Sequence, residues 1–140
     1  MRFRIAAVGK VREPYLRRAI DEYLGRIGHY ARCEEVEVAG ASALARAVPE
    51  RYSIVALDPA GKQLTSEAFA AWIGDRMNRS EHGLAFLIGG ADGLPGSLVA
   101  RASLKLSLST MTLPHRLARL FLAEQLYRAM TILRGEKYAR

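Results

Sequence analysis

Leu84-Ala85-Phe86-Leu87-Ile88-Gly89-Gly90-Ala91-Asp92-Gly93-Leu94-Pro95 is the most telling run in the chain. Uninterrupted apolar residues lead straight into a glycine-rich turn. So short an apolar run, bounded by turn residues, reads as a central strand of a parallel sheet, covered on both faces. A second block follows, from Leu104-Lys105-Leu106-Ser107-Leu108-Ser109 through Thr110-Met111-Thr112-Leu113-Pro114-His115. Apolar and polar side chains alternate through Ser109, which marks another strand ending in a turn. Two such turns side by side can build a ligand pocket from main-chain N–H and C=O groups. In open α/β sheets, ligands sit beyond the carboxyl ends of the strands. The glycines permit positive φ and close backbone approach, which also suits a purely structural turn.

Working outward, strands and helices alternate. Residues 3–8 read as a buried strand ended by Gly9. Leu16, Ile20, Tyr23, Leu24 and Ile27 recur at helical spacing and predict a helix over about 13–27. Residues 34–38 alternate as a half-exposed strand, and the alanine-rich 39–50 predicts a short helix. Residues 52–57 form an apolar strand closed by the turn cluster Asp58-Pro59-Ala60-Gly61-Lys62. Thr65 or Ser66 caps the next helix, whose buried stripe is Phe69, Trp72, Ile73 and Met77. A short helix over 97–102 precedes the 104–109 strand. A long helix then spans 114–134, with Thr112 as its cap, Gly135 just past its end, and Leu117, Leu120, Phe121, Tyr127 and Met130 as its apolar face. This order predicts one α/β domain over 1–140 with a mainly parallel sheet.

Composition narrows the chemistry. With 140 residues, the chain builds one domain with a real core. A net charge of +7 points first to a polyanion such as nucleic acid, with solubility charge as the alternative. The single cysteine, Cys33, cannot form an internal disulfide, so a reducing cytoplasm is expected. No run approaches the ~18 apolar residues of a membrane span, and the opening segment is too short for a secretory signal. No His/Cys/carboxylate cluster has metal-ligand spacing, so no metal is expected. A GxGxxG fingerprint after the first strand, a Walker A loop and a Gly-x-Ser-x-Gly elbow are all missing.

His115, at the start of the last helix, could act as a base, a phosphate contact or a packing residue. Arg116, Arg119, Arg128 and Arg134 lie along that helix and suit either phosphates or a solvated face. Glu124 and Arg128 are spaced for an i,i+4 pair.

Taken together, residues 87–94 (Leu-Ile-Gly-Gly-x-x-Gly-Leu), the block 106–115 and residues 119–129 closely resemble the ribosomal large subunit methyltransferase H family. Residues 7–10, 22–24 and the Leu57-Asp58-x-x-Gly61-Lys62 pattern match as well, so the likeness covers nearly the whole chain. Only 40–52 looks shorter than usual. The resemblance implies a SPOUT-type α/β fold with a C-terminal trefoil knot, a homodimer, and S-adenosylmethionine as cofactor. It further implies N3-methylation of a pseudouridine in a 23S ribosomal RNA stem-loop, on assembled ribosomes. Carried across, the cofactor positions are Leu57, Gly89, Leu108, Ser109, Thr110, Met111, Thr112 and Leu113. His115, Glu124 and Tyr138 are the candidates for handling the imide proton. The family ends in Tyr-His, whereas here Ala139 follows Tyr138. That departure also admits a non-catalytic ribosome- or RNA-binding protein with the same fold.

Overall fold

The computed structural model describes residues 1–138, so Ala139 lies outside the described residues. At its centre is β4 (Gly83–Ile88), buried at every position. Leu84, Phe86 and Ile88 enter one core layer, while Ala85 and Leu87 enter another on the opposite face. This period-2 split explains why an all-apolar run makes a strand here. Around it stand β1 (Arg2–Val8), β2 (Cys33–Val38), β3 (Tyr52–Gln63) and β5 (Leu104–Ser107) in the order β2-β1-β4-β3-β5. Every pairing is parallel.

Helices α1 (Pro14–Ile27), α2 (Ser66–Asn78) and α4 (His115–Arg134) cover one face. The other is covered by α3 (Gly96–Ala100) and two 3-10 turns, Ala41–Ala43 and Ala45–Ala47. These two turns replace the short helix expected over 39–50. They bury Leu44 and Ala47 with minimal chain. Although β5 lies at the sheet edge beside β3, α4 returns across the sheet to pack on both α1 and α2. The path from β5 to α4 therefore passes the carboxyl ends of the central strands.

Three local expectations are corrected. First, β3 does not stop at Leu57. Its register against β5 jumps between Leu57 and Lys62, both opposite Leu106, and pairing continues from Lys62 to Gln63 opposite Ser107. The Asp58 side chain accepts from the Ala60 N–H at 3.0 Å, so the expected turn is a bulge within a longer strand. Second, α4 has no side-chain cap and begins after Pro114, so Thr112 caps nothing. Proline presets φ without requiring a donor. Third, α4 buries Ala118, Leu122, Ala123, Leu126 and Ala129, whereas Leu117 and Phe121 remain 41% and 40% exposed. Small alanines admit the close approach of α1 and α2, and of the expected face Met130 is buried while Leu120 and Tyr127 are half-buried against the core. Met77 is likewise exposed at the end of α2. The expected cap at Thr65 does form, accepting from the Ala68 N–H at 3.0 Å, and Gly135 adopts φ +66° past α4.

Candidate functional site

A cavity of about 460 Å³ opens between the bulge in β3 and the carboxyl ends of β4 and β5. Its size suits a cofactor or substrate. Leu57 and Asp58 come from the bulge in β3, Ile88 to Ala91 and Gly93 from the end of β4 and its turn, and Leu106, Leu108, Ser109 and Met111 to Leu113 from β5 and the turn after it. His115 and Ala118 close it from α4.

The cavity exists because two turns fold tightly. A Cβ on Gly89 would lie 2.5 Å from the Gly93 carbonyl carbon and 2.7 Å from its oxygen, so any side chain there collides with backbone. Gly93 itself sits at φ +75°, a conformation that favours glycine. In the second turn, Ser109 Oγ accepts from the Met111 N–H at 2.9 Å, and Ser107 Oγ donates to the Ser109 carbonyl at 3.0 Å. Among the described residues, the N–H groups of Ser109, Thr110, Thr112 and Leu113 have no protein partner. Apolar walls and unspent main-chain donors form a surface suited to a flat heterocycle with a polar edge.

One flank of the cavity is tied down by ion pairs. Arg119, 1% exposed, donates from Nη1 to Glu35 at 3.1 Å and to Glu37 at 2.6 Å. From Nη2 it donates to the Gly9 carbonyl at 2.8 Å. Glu37 also accepts from the Val11 N–H at 3.0 Å, and Arg17 pairs with both glutamates. Burial alone would raise the Glu37 pKa, but the Val11 N–H and the Arg119 and Arg17 charges hold it below its ordinary value. For His115 the direction is also down, through burial and then the charges of Arg119 and Arg116. The imidazole is therefore neutral at pH 7.

A family model described as "Predicted SPOUT methyltransferase" matches residues 1–139. The chain belongs to the SPOUT methyltransferase family. Its relatives include a protein of Sorangium cellulosum (strain So ce56), 51% identical over 144 residues and covering 99% of each chain, and one of Anaeromyxobacter dehalogenans (strain 2CP-1 / ATCC BAA-258), 47% identical over 153 residues with the same coverage. Both are named Ribosomal RNA large subunit methyltransferase H. A probable methylase family protein from Haemophilus influenzae Rd KW20 shares the fold, with a TM-score of 0.61 at 9% identity over 99% of this chain and 70% of that one.

In this SPOUT methyltransferase, the expected positions Leu57, Gly89, Leu108, Ser109, Met111, Thr112 and Leu113 all line one cavity, and His115 lines it with them. Thr110 belongs to the same turn but is not among the lining residues. Glu124 and Tyr138 do not reach the cavity. Glu124 is bound by Arg128 at 2.7 Å and by Gln125. The Tyr138 hydroxyl meets Tyr23 at 3.3 Å, its ring packs on Tyr127 at 4.9 Å, and the Arg128 guanidinium lies over it at 4.4 Å. Burial, then hydrogen bonding to Tyr23 and Glu124, pushes the Tyr138 phenol above its ordinary range. It keeps its proton at neutral pH.

Sequence reasoning misses the Arg119–Glu37 network. Its signal is Glu35 and Glu37 two apart on one strand, which places both on the face that α4 covers. Cys33 is inert, with burial pushing its thiol up to about 12. No cluster among the described residues could hold a metal ion, and no helix is long and apolar enough to cross a membrane.

Proposed function

We propose that this chain methylates N3 of a pseudouridine in the 23S RNA of the large ribosomal subunit, using S-adenosylmethionine bound in the cavity at the strand ends. The observation that carries this is the convergence of Leu57, Gly89, Leu108 and Leu113 on one cavity in a chain of this family. Names of relatives that share about half its sequence support the ribosomal substrate.

The residues present fit the cofactor. Leu57, Leu108 and Leu113 would enclose an adenine ring, and the free N–H groups of Ser109, Thr110, Thr112 and Leu113 would be available to its polar edge. Gly89 lets the chain close over it without a side chain in the way. When bound, the cofactor supplies an electrophilic methyl group on a sulfonium. The protein's main task is then to hold the base in line with that methyl group. Orientation contributes on the order of 7–11 kcal/mol, whereas a general base contributes about 10²–10⁴-fold in rate. Positioning can therefore supply most of the rate in a site with no assigned proton acceptor. His115 belongs to the site, while Glu124 and Tyr138 support it from outside the cavity.

The protein acts as a cytoplasmic homodimer, one domain per copy, with the segment after β5 threaded as a trefoil knot. The exposed Leu117 and Phe121 border a surface depression shared with Ala19, Tyr23, Leu113 and Leu120. Leu113 also lines the cofactor cavity, so a second copy seated there completes its wall. For the RNA, Lys62 and Lys105 flank a groove beside Trp72, and neither has an acidic partner within 4 Å among the described residues.

The decisive experiment incubates labelled S-adenosylmethionine with ribosomes lacking the modification and maps the labelled nucleoside. Label on N3 of one large-subunit pseudouridine is expected. Cofactor binding without any methyl transfer would instead favour the non-catalytic RNA-binding alternative.

A further inference from the structure

We infer that His115 is a fixed hydrogen-bond donor in the pocket, held as the Nε2–H tautomer by Arg119 and directed at an acceptor oxygen of the bound ligands. This rests on the cavity being the methyl-transfer site. Arginine carries only donors. Arg119 Nη2 stands 3.5 Å from His115 Nδ1, so that nitrogen must present its lone pair, and the ring proton resides on Nε2.

The arrangement is clamped on both sides. Arg119 is buried and held by Glu35, Glu37 and the Gly9 carbonyl, so it cannot swing away. On the other side the imidazole lies against Gly9, with Cε1 3.2 Å from where a Cβ would sit, and Gly9 is at φ +94°. Glycine at this position is what leaves room for the ring. Nε2 has no hydrogen-bond partner among the described residues, and His115 lines the cavity.

The start of α4 favours an oxygen bearing negative charge, and Asp58 is the one carboxylate among the lining residues. His115 begins α4, where the helix dipole is positive. Arg116 and Arg119 flank it, and Glu13 and Glu37, paired with them at 3.0 and 2.6 Å, offset their charge, which leaves the helix dipole as the preference for an anion. Two oxygens have this character. One is the carboxylate of the methionine moiety. The other is a base carbonyl beside N3, which gains charge as the imide proton leaves to solvent water. Neither contact asks the imidazole to gain or lose a proton, so His115 is a donor here and not the base.

Long-range ¹⁵N–¹H correlation spectra of the labelled full-length protein at neutral pH read the tautomer directly. A protonated Nε2 with an unprotonated Nδ1 is expected, and a protonated Nδ1 would overturn the inference. His115→Ala is expected to cost about 10²-fold, as loss of one preorganised donor does. If the loss is in cofactor affinity, the acceptor is the carboxylate; if it is in kcat at unchanged affinity, the acceptor is the base. His115→Gln keeps an N–H donor and should recover about tenfold of that loss. A Gln variant as poor as Ala, or an Ala variant within twofold of the parent in both quantities, would defeat the donor role. Should the unaltered protein transfer no methyl group to ribosomes, the proposed function fails, while the spectrum still decides the tautomer.

Discussion

Gly89 has no room for a side chain, and this follows from the backbone of Gly93 facing it rather than from its own φ. Gly89→Ala must push the two arms of the turn apart. We expect at least a tenfold loss of cofactor affinity by calorimetric titration, with a stability cost of about 1–3 kcal/mol. Arg119 presents the opposite case, a charge that is buried because its partners are in place. Truncating one member of such a network leaves uncompensated charge behind. Arg119→Met should therefore destabilise by about 3–5 kcal/mol in urea denaturation, more than an exposed arginine such as Arg79, whose i,i+4 pair with Asp75 contributes about 0.5 kcal/mol. The sequence marks both residues as chemically notable but leaves Arg119 between a phosphate contact and a solvated face, and the structure makes it neither. Its burial depends on Glu35 and Glu37, which lie more than 80 positions away along the chain.

At the scale of elements, local chemistry is a good guide wherever the partners are also local. The Thr65 cap forms as its neighbours dictate, so Thr65→Ala should cost about 1 kcal/mol, read from the denaturation midpoint. The apolar periodicity of α4 is legible too, but its buried side only in part. Of the expected stripe, Met130 is buried and Leu120 and Tyr127 are half-buried, but Leu117 and Phe121 are exposed, and packing on two helices selects Ala118, Leu122, Leu126 and Ala129 in addition. Leu122→Ala should accordingly cost about 2–5 kcal/mol, while Leu117→Ala should leave monomer stability nearly unchanged and weaken self-association in sedimentation. The β3 bulge is of the same kind. Asp58-Pro59-Ala60-Gly61 announces a turn, but only β5 alongside draws the chain back into the ladder at Lys62.

Across the molecule, charge sets two responses. Glu37 has a folded pKa below its ordinary value. Its contribution is therefore complete above the unfolded carboxyl's ~4.3 and is lost as pH falls through the lower folded value. His115, also lowered, adds a loss of the same sign as pH drops below about 6.5. Stability measured by denaturation should fall from pH 7 toward pH 3, and Glu37→Gln should make the acid limb shallower. The second response is to salt. With a net charge of +7, the proposed binding to ribosomal RNA should weaken linearly in log–log form as salt rises. Replacing both Lys62 and Lys105 by alanine should reduce that slope by about 1 for each phosphate no longer neutralised, with cofactor affinity unchanged.

The amino-acid sequence alone determined the alternation of strands and helices, the central position of β4, the two turns that hold the pocket and the family they belong to. Each of these is carried by neighbours within a few residues: an apolar run, a glycine pair, a proline before a helix. Tertiary structure alone decided which face of α4 is buried, that β3 continues past its turn, that Glu124 and Tyr138 stand outside the cavity, and that Arg119 clamps His115 against Gly9. Those outcomes depend on interactions between distant parts of the chain, where packing volume and the pairing of buried charge override local preference.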